Sequence, residues 1–138
     1  MFDVVIPYTH SAMEENQWAF MLSCFQPKNT WVMGDAPDDH IKRIGGAILT
    51  DSLSELQGKI VICQPINGLE IQGETSLLDF KHPENAIYVF GSNHVHMRSN
   101  DFEGLDYETV YIPSDSQSDM YNFASAGIIL FDRLSKNG

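Results

Sequence analysis

Val110-Tyr111-Ile112-Pro113-Ser114-Asp115-Ser116-Gln117-Ser118-Asp119-Met120-Tyr121-Asn122-Phe123-Ala124-Ser125-Ala126 is the stretch whose reading decides the fold. Thr109–Ile112 is β-branched and aromatic, which predicts a strand. Pro113 ends it, because proline has no N–H for a ladder. Ser114–Ser118 is a short polar loop. Asp119–Leu134 then reads as a helix, with Tyr121, Phe123, Ala126, Gly127, Leu130, Phe131 and Leu134 giving it a broad apolar face. In parallel sheets ligands sit beyond the carboxyl ends of the strands, so a strand, a polar loop and a helix start form a candidate site.

Upstream of this stretch the same alternation repeats. Ala86-Ile87-Tyr88-Val89-Phe90 reads as a central strand closed by Gly91. Asp3–Pro7, Thr30–Met33, Ala47–Leu49 and Ile60–Cys63 read as further strands. Met13–Phe25 reads as a helix with Glu14 and Glu15 in its first turn, where the dipole favours acids, and with Trp18, Met21, Leu22 and Phe25 at helical spacing. A short helix is expected to about Ile44, with Asp38 and Asp39 read as capping groups. Ser52–Glu55 has a capping-box pattern. Gln64–Gly73 and Ser92–Tyr107 read as irregular. Strands alternating with helices predict one α/β domain over residues 1–138 with a mostly parallel sheet.

Composition sets outer limits. The 138 residues are 43% hydrophobic, enough for a packed core. No apolar run approaches membrane-spanning length, and Met1–Pro7 has no basic segment ahead of an apolar one, so a cytoplasmic location without membrane contact is expected. Cys24 and Cys63 both lie in apolar stretches without zinc-ligand spacing, and they read as buried free thiols. Trp18 and Trp31 read as core or interface residues. The formal net charge is −11, with 8 Lys and Arg spread along the chain. No basic stripe exists of the kind that grips nucleic acid unaided. Tight autonomous RNA binding is therefore not expected. A local patch, a protein partner or a different substrate stays open. No glycine-rich phosphate loop is present.

Two blocks together resemble the SpoU branch of the SPOUT RNA methyltransferases. The first is Phe90-Gly91 at the end of the central strand. The second is Ile112-Pro113, a polar loop, then Tyr121-Asn122 opening an alanine-containing helix, with the family's own interval between its Pro and its Asn. The resemblance covers roughly the last two thirds of the chain. It implies an α/β-knot, with helices flanking the sheet and a C-terminal deep trefoil knot. It also implies S-adenosyl-L-methionine as cofactor, held mostly through backbone groups. Gln64, Pro65, Phe90, Gly91, Ser92, Ile112, Pro113, Met120, Tyr121, Asn122 and Ala126 would line the cofactor pocket. Asn16 and Asn122 match polar positions of the family's catalytic motifs. A homodimer is implied, with the apolar faces of Met13–Phe25 and Asp119–Leu134 as candidate surfaces. The acceptor would be a ribose 2′-hydroxyl of tRNA or rRNA. Without an added RNA-binding domain, a small exposed target such as a tRNA loop is favoured. DNA is not expected.

The departures are specific. The family's catalytic Arg position falls on Leu22, its Glu is absent near Asn93, and its Ser falls on Met120. Removing a proton from the acceptor hydroxyl then needs another base. His94, His96 and His10 are the candidates, since imidazole titrates near neutral pH. His94-Val95-His96 would need Asp101 or Glu103 to hold a metal, and none is expected. Leu22, Met120 and the acidic charge leave a second reading: a degenerate homologue that binds cofactor or a protein partner without methylating RNA. A third, an unrelated α/β nucleotide-binding domain, lacks the usual motifs.

Overall fold

The run Ala86–Phe90 is buried at every position, as a strand covered on both faces must be. It lies at the centre of a seven-stranded sheet, which can be followed in the computed structural model over residues 1–8, 12–33, 36–46, 48–50, 52–64, 74–91, 102–115 and 122–137. In chain order the strands are β1 (Asp3–Pro7), β2 (Asn29–Met33), β3 (Ile48–Thr50), β4 (Lys59–Gln64), β5 (Glu74–Ser76), β6 (Ala86–Phe90) and β7 (Tyr107–Tyr111). Their spatial order is β3-β2-β1-β6-β4-β7-β5, and every pairing is parallel. The helices are α1 (Ala12–Phe25), α2 (Asp38–Arg43) and α3 (Asn122–Asn137), with a 3-10 turn at Leu53–Glu55.

Successive strand residues point to opposite faces. Val4, Ile6, Val32, Val61, Cys63, Tyr88, Phe90 and Val110 face one way, into a cluster with Trp18 and Leu22 of α1 and Ala126, Ile129 and Leu130 of α3. Val5, Ile60, Ile62, Ile87 and Val89 face the other way, against Leu53 and Phe102. Among the described residues the helices contribute to the first cluster, and the 3-10 turn and the Phe102 segment cover the second face. Each large aliphatic side chain buried in this way contributes about 1.5–3 kcal/mol.

A polar tie fixes the far end of α3. His82 joins the Tyr88 hydroxyl at 2.7 Å through Nδ1 and the Asp132 carboxylate at 2.7 Å through Nε2. Lys136 donates to the carbonyls of Leu77 and Phe80. Burial pushes the His82 imidazole below its ordinary value, with Asp132 opposing. The ring is thereby kept neutral between its two partners.

Several expectations are corrected. Gln64 belongs to β4 rather than to an irregular segment, and Glu74–Ser76, for which no element was expected, is an edge strand paired with β7. Tyr107 and Glu108 belong to β7 rather than to an irregular segment, because β4 offers them a ladder. Cys24 is exposed, on the outer side of α1, and only Cys63 is buried. Pro37, not an aspartate, caps α2; Asp38 and Asp39 lie inside its first turn, where the dipole still favours them. Trp18 is a core residue as expected. The helix after the polar loop is described from Asn122 and runs on to Asn137. Its apolar residues form two stripes. Ala126, Ile129 and Leu130 are buried on the sheet, whereas Ile128, Phe131 and Leu134 are exposed.

Candidate functional site

Strand register brings three chain ends to one edge. Cys63 of β4 lies beside Phe90 of β6, and Gln64 of β4 lies beside Tyr111 of β7. β4, β6 and β7 therefore end together, and Gly91 and Ile112-Pro113 leave the sheet on either side of β4. Phe90 and Ile112 are buried in the same cluster as Ala126, one turn into α3. All three are part of the buried apolar core on the helix-covered face of the sheet. The methyl of Ala126 is small enough to let α3 approach the sheet closely. Gly91 is half-buried and Pro113 is exposed at the rim.

Of the residues singled out in the sequence, Gln64, Phe90, Gly91, Ile112 and Pro113 are at or just past these strand ends, and Asn122 and Ala126 lie in the first turns of α3. Gln64 ends β4 and Asn122 begins α3. Pro65, Ser92, His94, His96, Met120, Tyr121 and His10 lie outside the described residues, as do Asp101 and the loop from Ser116 to Asp119. Asn16 is exposed on α1 and belongs to a different part of the same sheet edge, beyond the end of β1. Leu22, where the family has an arginine, is a core residue against the sheet. No group of metal-ligating side chains is present among the described residues.

A second polar cluster was not anticipated from the sequence. Glu15 of α1 is buried, its side chain 5% exposed. It accepts a bidentate pair from Arg43 of α2, through Nε to Oε1 and through Nη2 to Oε2 at 3.3 Å. His40 Nδ1 meets Oε2 at 2.6 Å. The His40 ring, 1% exposed, stands edge-on to Tyr8 with centroids 4.7 Å apart. The Arg43 hydrogen bond holds the Glu15 carboxyl below its ordinary value against the opposing effect of burial, with His40 helping. The signal for this cluster was available. Glu15 stands three residues before Trp18 and seven before Leu22, on the buried stripe of α1. A carboxylate there requires a partner.

Comparison with solved structures gives the fold its kin. The SpoU methyltransferase AviRb from Streptomyces viridochromogenes superposes with a TM-score of 0.75 at 17% identity, covering 99% of this chain and 59% of AviRb. An AdoMet-bound rRNA methyltransferase from Sinorhizobium meliloti gives 0.73 at 10% identity, over 98% of this chain and 56% of the other. A protein solved to explain 2-OH methylation of C/U34 on tRNA gives 0.72 at 16% identity, over 99% of this chain and 96% of its own. The chain thus spans about three fifths of AviRb and nearly all of the third protein. No protein-family profile matches the sequence, and no curated protein matches it. At these identities the likeness is one of fold: the strands and helices of this chain are arranged as in the SpoU methyltransferase AviRb.

Proposed function

We propose that this protein is an S-adenosyl-L-methionine-dependent RNA methyltransferase acting on a ribose 2′-hydroxyl, with tRNA as the favoured acceptor. The observation that carries the reading is the shared edge at which β4, β6 and β7 end, with Phe90, Ile112 and Ala126 buried in the core, in a fold common to RNA methyltransferases. Apolar side chains beside strand-end backbone suit a planar base attached to a polar chain, so the residues present fit the cofactor. Gln64, Phe90, Gly91, Ile112, Pro113, Asn122 and Ala126 would hold it. Pro65, Ser92, Met120 and Tyr121 complete the proposed lining by their place in the sequence. The cofactor supplies an electrophilic methyl group on a sulfonium. The chain must orient the hydroxyl and receive its proton. Asn16, Asn122 and His94 are the proposed catalytic residues. The C-terminal segments would form the trefoil knot typical of the family this chain resembles.

A homodimer is part of the reading. Phe20 of α1 is 75% exposed and Phe131 of α3 is 60% exposed. With Met21, Phe123, Gly127 and Ile128 they line an open apolar groove of about 630 Å³. Exposed aromatic residues gathered along one groove mark an interaction surface. Similarity to a protein of nearly the same length, solved for 2-OH methylation of tRNA, favours tRNA over rRNA. The test is transfer of tritiated methyl from S-adenosyl-L-methionine to tRNA, followed by alkaline hydrolysis. A methylated, hydrolysis-resistant dinucleotide is the expected product. Cofactor binding without transfer to tRNA or rRNA would instead support a homologue that has lost catalysis, as Leu22 and Met120 would suggest.

A further inference from the structure

A chain of net charge −11 needs a defined place to meet a polyanion. Several of the described cations serve the fold. Lys59 is paired with Asp106 at 2.9 Å. Lys136 is held by Asp132 and by the carbonyls of Leu77 and Phe80. Arg133 lies over the Phe2 ring at 4.3 Å. Lys28 precedes β2, at the amino edge of the sheet, opposite the candidate site. Lys42-Arg43 is the only pair of consecutive basic residues in the sequence.

Arg43 is held in one orientation while part of it stays exposed. Glu15 takes its Nε–H and one Nη2–H, which fixes the plane of the guanidinium. Its side chain remains 56% exposed. A guanidinium has five N–H donors, so the remaining ones face outward from a fixed fork that matches phosphate oxygens. Glu15 itself cannot turn away, because it is buried and His40 Nδ1 holds its Oε2. The pair is electrically neutral, so net charge at this point comes from Lys42, which is exposed with no partner among the described residues. Asp38 and Asp39 in the first turn of α2 oppose it, which keeps the attraction modest. Glu15 lies in the first turn of α1, which leaves the carboxyl end of β1. The cluster therefore shares the edge at which β4, β6 and β7 end, displaced towards β1 and β2.

Resting on the function proposed above, we infer that Lys42 and Arg43 bind the phosphate backbone of the acceptor RNA, with Glu15 and His40 as positioning residues for the arginine. This cluster supplies cations beside α1 where the family's own arginine position is occupied by a buried leucine.

The test is binding of unfractionated tRNA as a function of salt, with S-adenosyl-L-methionine affinity measured in parallel. Losing one phosphate contact lowers the slope of log K against log salt by about 0.7–0.9. Removing Arg43 alone would leave the buried Glu15 without its guanidinium partner, so the variants are Lys42→Gln and the double change Glu15→Gln with Arg43→Gln. Each is expected to lower the slope by that amount and to weaken tRNA binding severalfold. Lys28→Gln, at the opposite edge, should change neither, and cofactor affinity should stay constant throughout. An unchanged slope in either variant, or wild-type protein showing no salt-dependent tRNA binding, overturns the inference. Parallel loss of cofactor binding would also overturn it, by assigning the cluster to the cofactor pocket. The cofactor result for wild-type protein stands apart from all of these and speaks to the function itself.

Discussion

Gly58→Ala should destabilise the protein by about 3 kcal/mol, and the structure says why. Gly58 has φ +144°, a backbone region that side chains rarely adopt. A Cβ there would stand 2.5 Å from the Asn85 carbonyl oxygen and 3.1 Å from Cγ1 and Cδ1 of Ile87. Backbone strain of this kind costs about 1–3 kcal/mol, and relieving an overpacked contact costs about the same again. The oxygen cannot simply retreat, because it accepts the Lys59 N–H at 2.9 Å and so starts the pairing of β4 with β6. For a domain of 138 residues the unfolding entropy is about 0.3 kcal/mol per degree, so Tm should fall by about 10 °C. Gly104→Ala is the matched control. Its φ is +81° but nothing lies within 4 Å, so only strain applies, about 1 kcal/mol or a fall of about 3 °C. Thermal unfolding followed by circular dichroism measures both. Equal shifts in the two variants would refute the argument that close approach of β4 to the Asn85 turn requires glycine.

Stability should fall with acid in two stages. His82 has a folded value below its ordinary 6.5, so its contribution is complete above that pH and is lost as pH drops through the folded value. Glu15 and Asp132 are also lowered, from 4.5 and 3.8, and their contributions are lost at more acidic pH. A Tm profile should be level above about pH 7 and should fall below it; a Tm that rises between pH 7 and pH 5 would contradict the neutral His82 tie. Leu22→Arg, which restores the family's residue type, should cost about 3 kcal/mol or more, because it places an unpaired charge in the core. Denaturant titration checks it, and a loss below 1 kcal/mol would show that the position can reach solvent. Phe20→Glu with Phe131→Glu should shift a dimer to monomer in sedimentation while leaving the circular dichroism spectrum intact. Unchanged mass in the double variant would remove the α1–α3 groove as the dimer surface.

The fold was legible in the sequence where the pattern was long and its burial uniform. Ala86–Phe90 announced a strand covered on both sides, and it is the central one. The stretch from Val110 to Ala126 announced a strand and then a helix, and β7 and α3 are those two elements. What escaped notice was set by tertiary context. Glu74–Ser76 is a strand because β7 offers it an edge, and its own three residues say little. Helix α3 showed a broad apolar face, but only the packing separates Ile129 and Leu130, which meet the sheet, from Phe131 and Leu134, which do not. The Glu15–His40–Arg43 cluster joins residues 25 and 28 positions apart on two helices, so the position of Glu15 on the buried stripe of α1 calls for a partner without saying which. Asn122 begins α3, whereas His94 and His10 lie outside the described residues.

Calorimetric titration of the purified protein with S-adenosyl-L-methionine bears most directly on the central claim. The account predicts saturable binding, one cofactor per chain, at micromolar affinity, or about −8 kcal/mol, competed by S-adenosylhomocysteine. No heat and no competition up to millimolar cofactor would mean that the fold has been kept without its pocket, and the methyltransferase reading would fall.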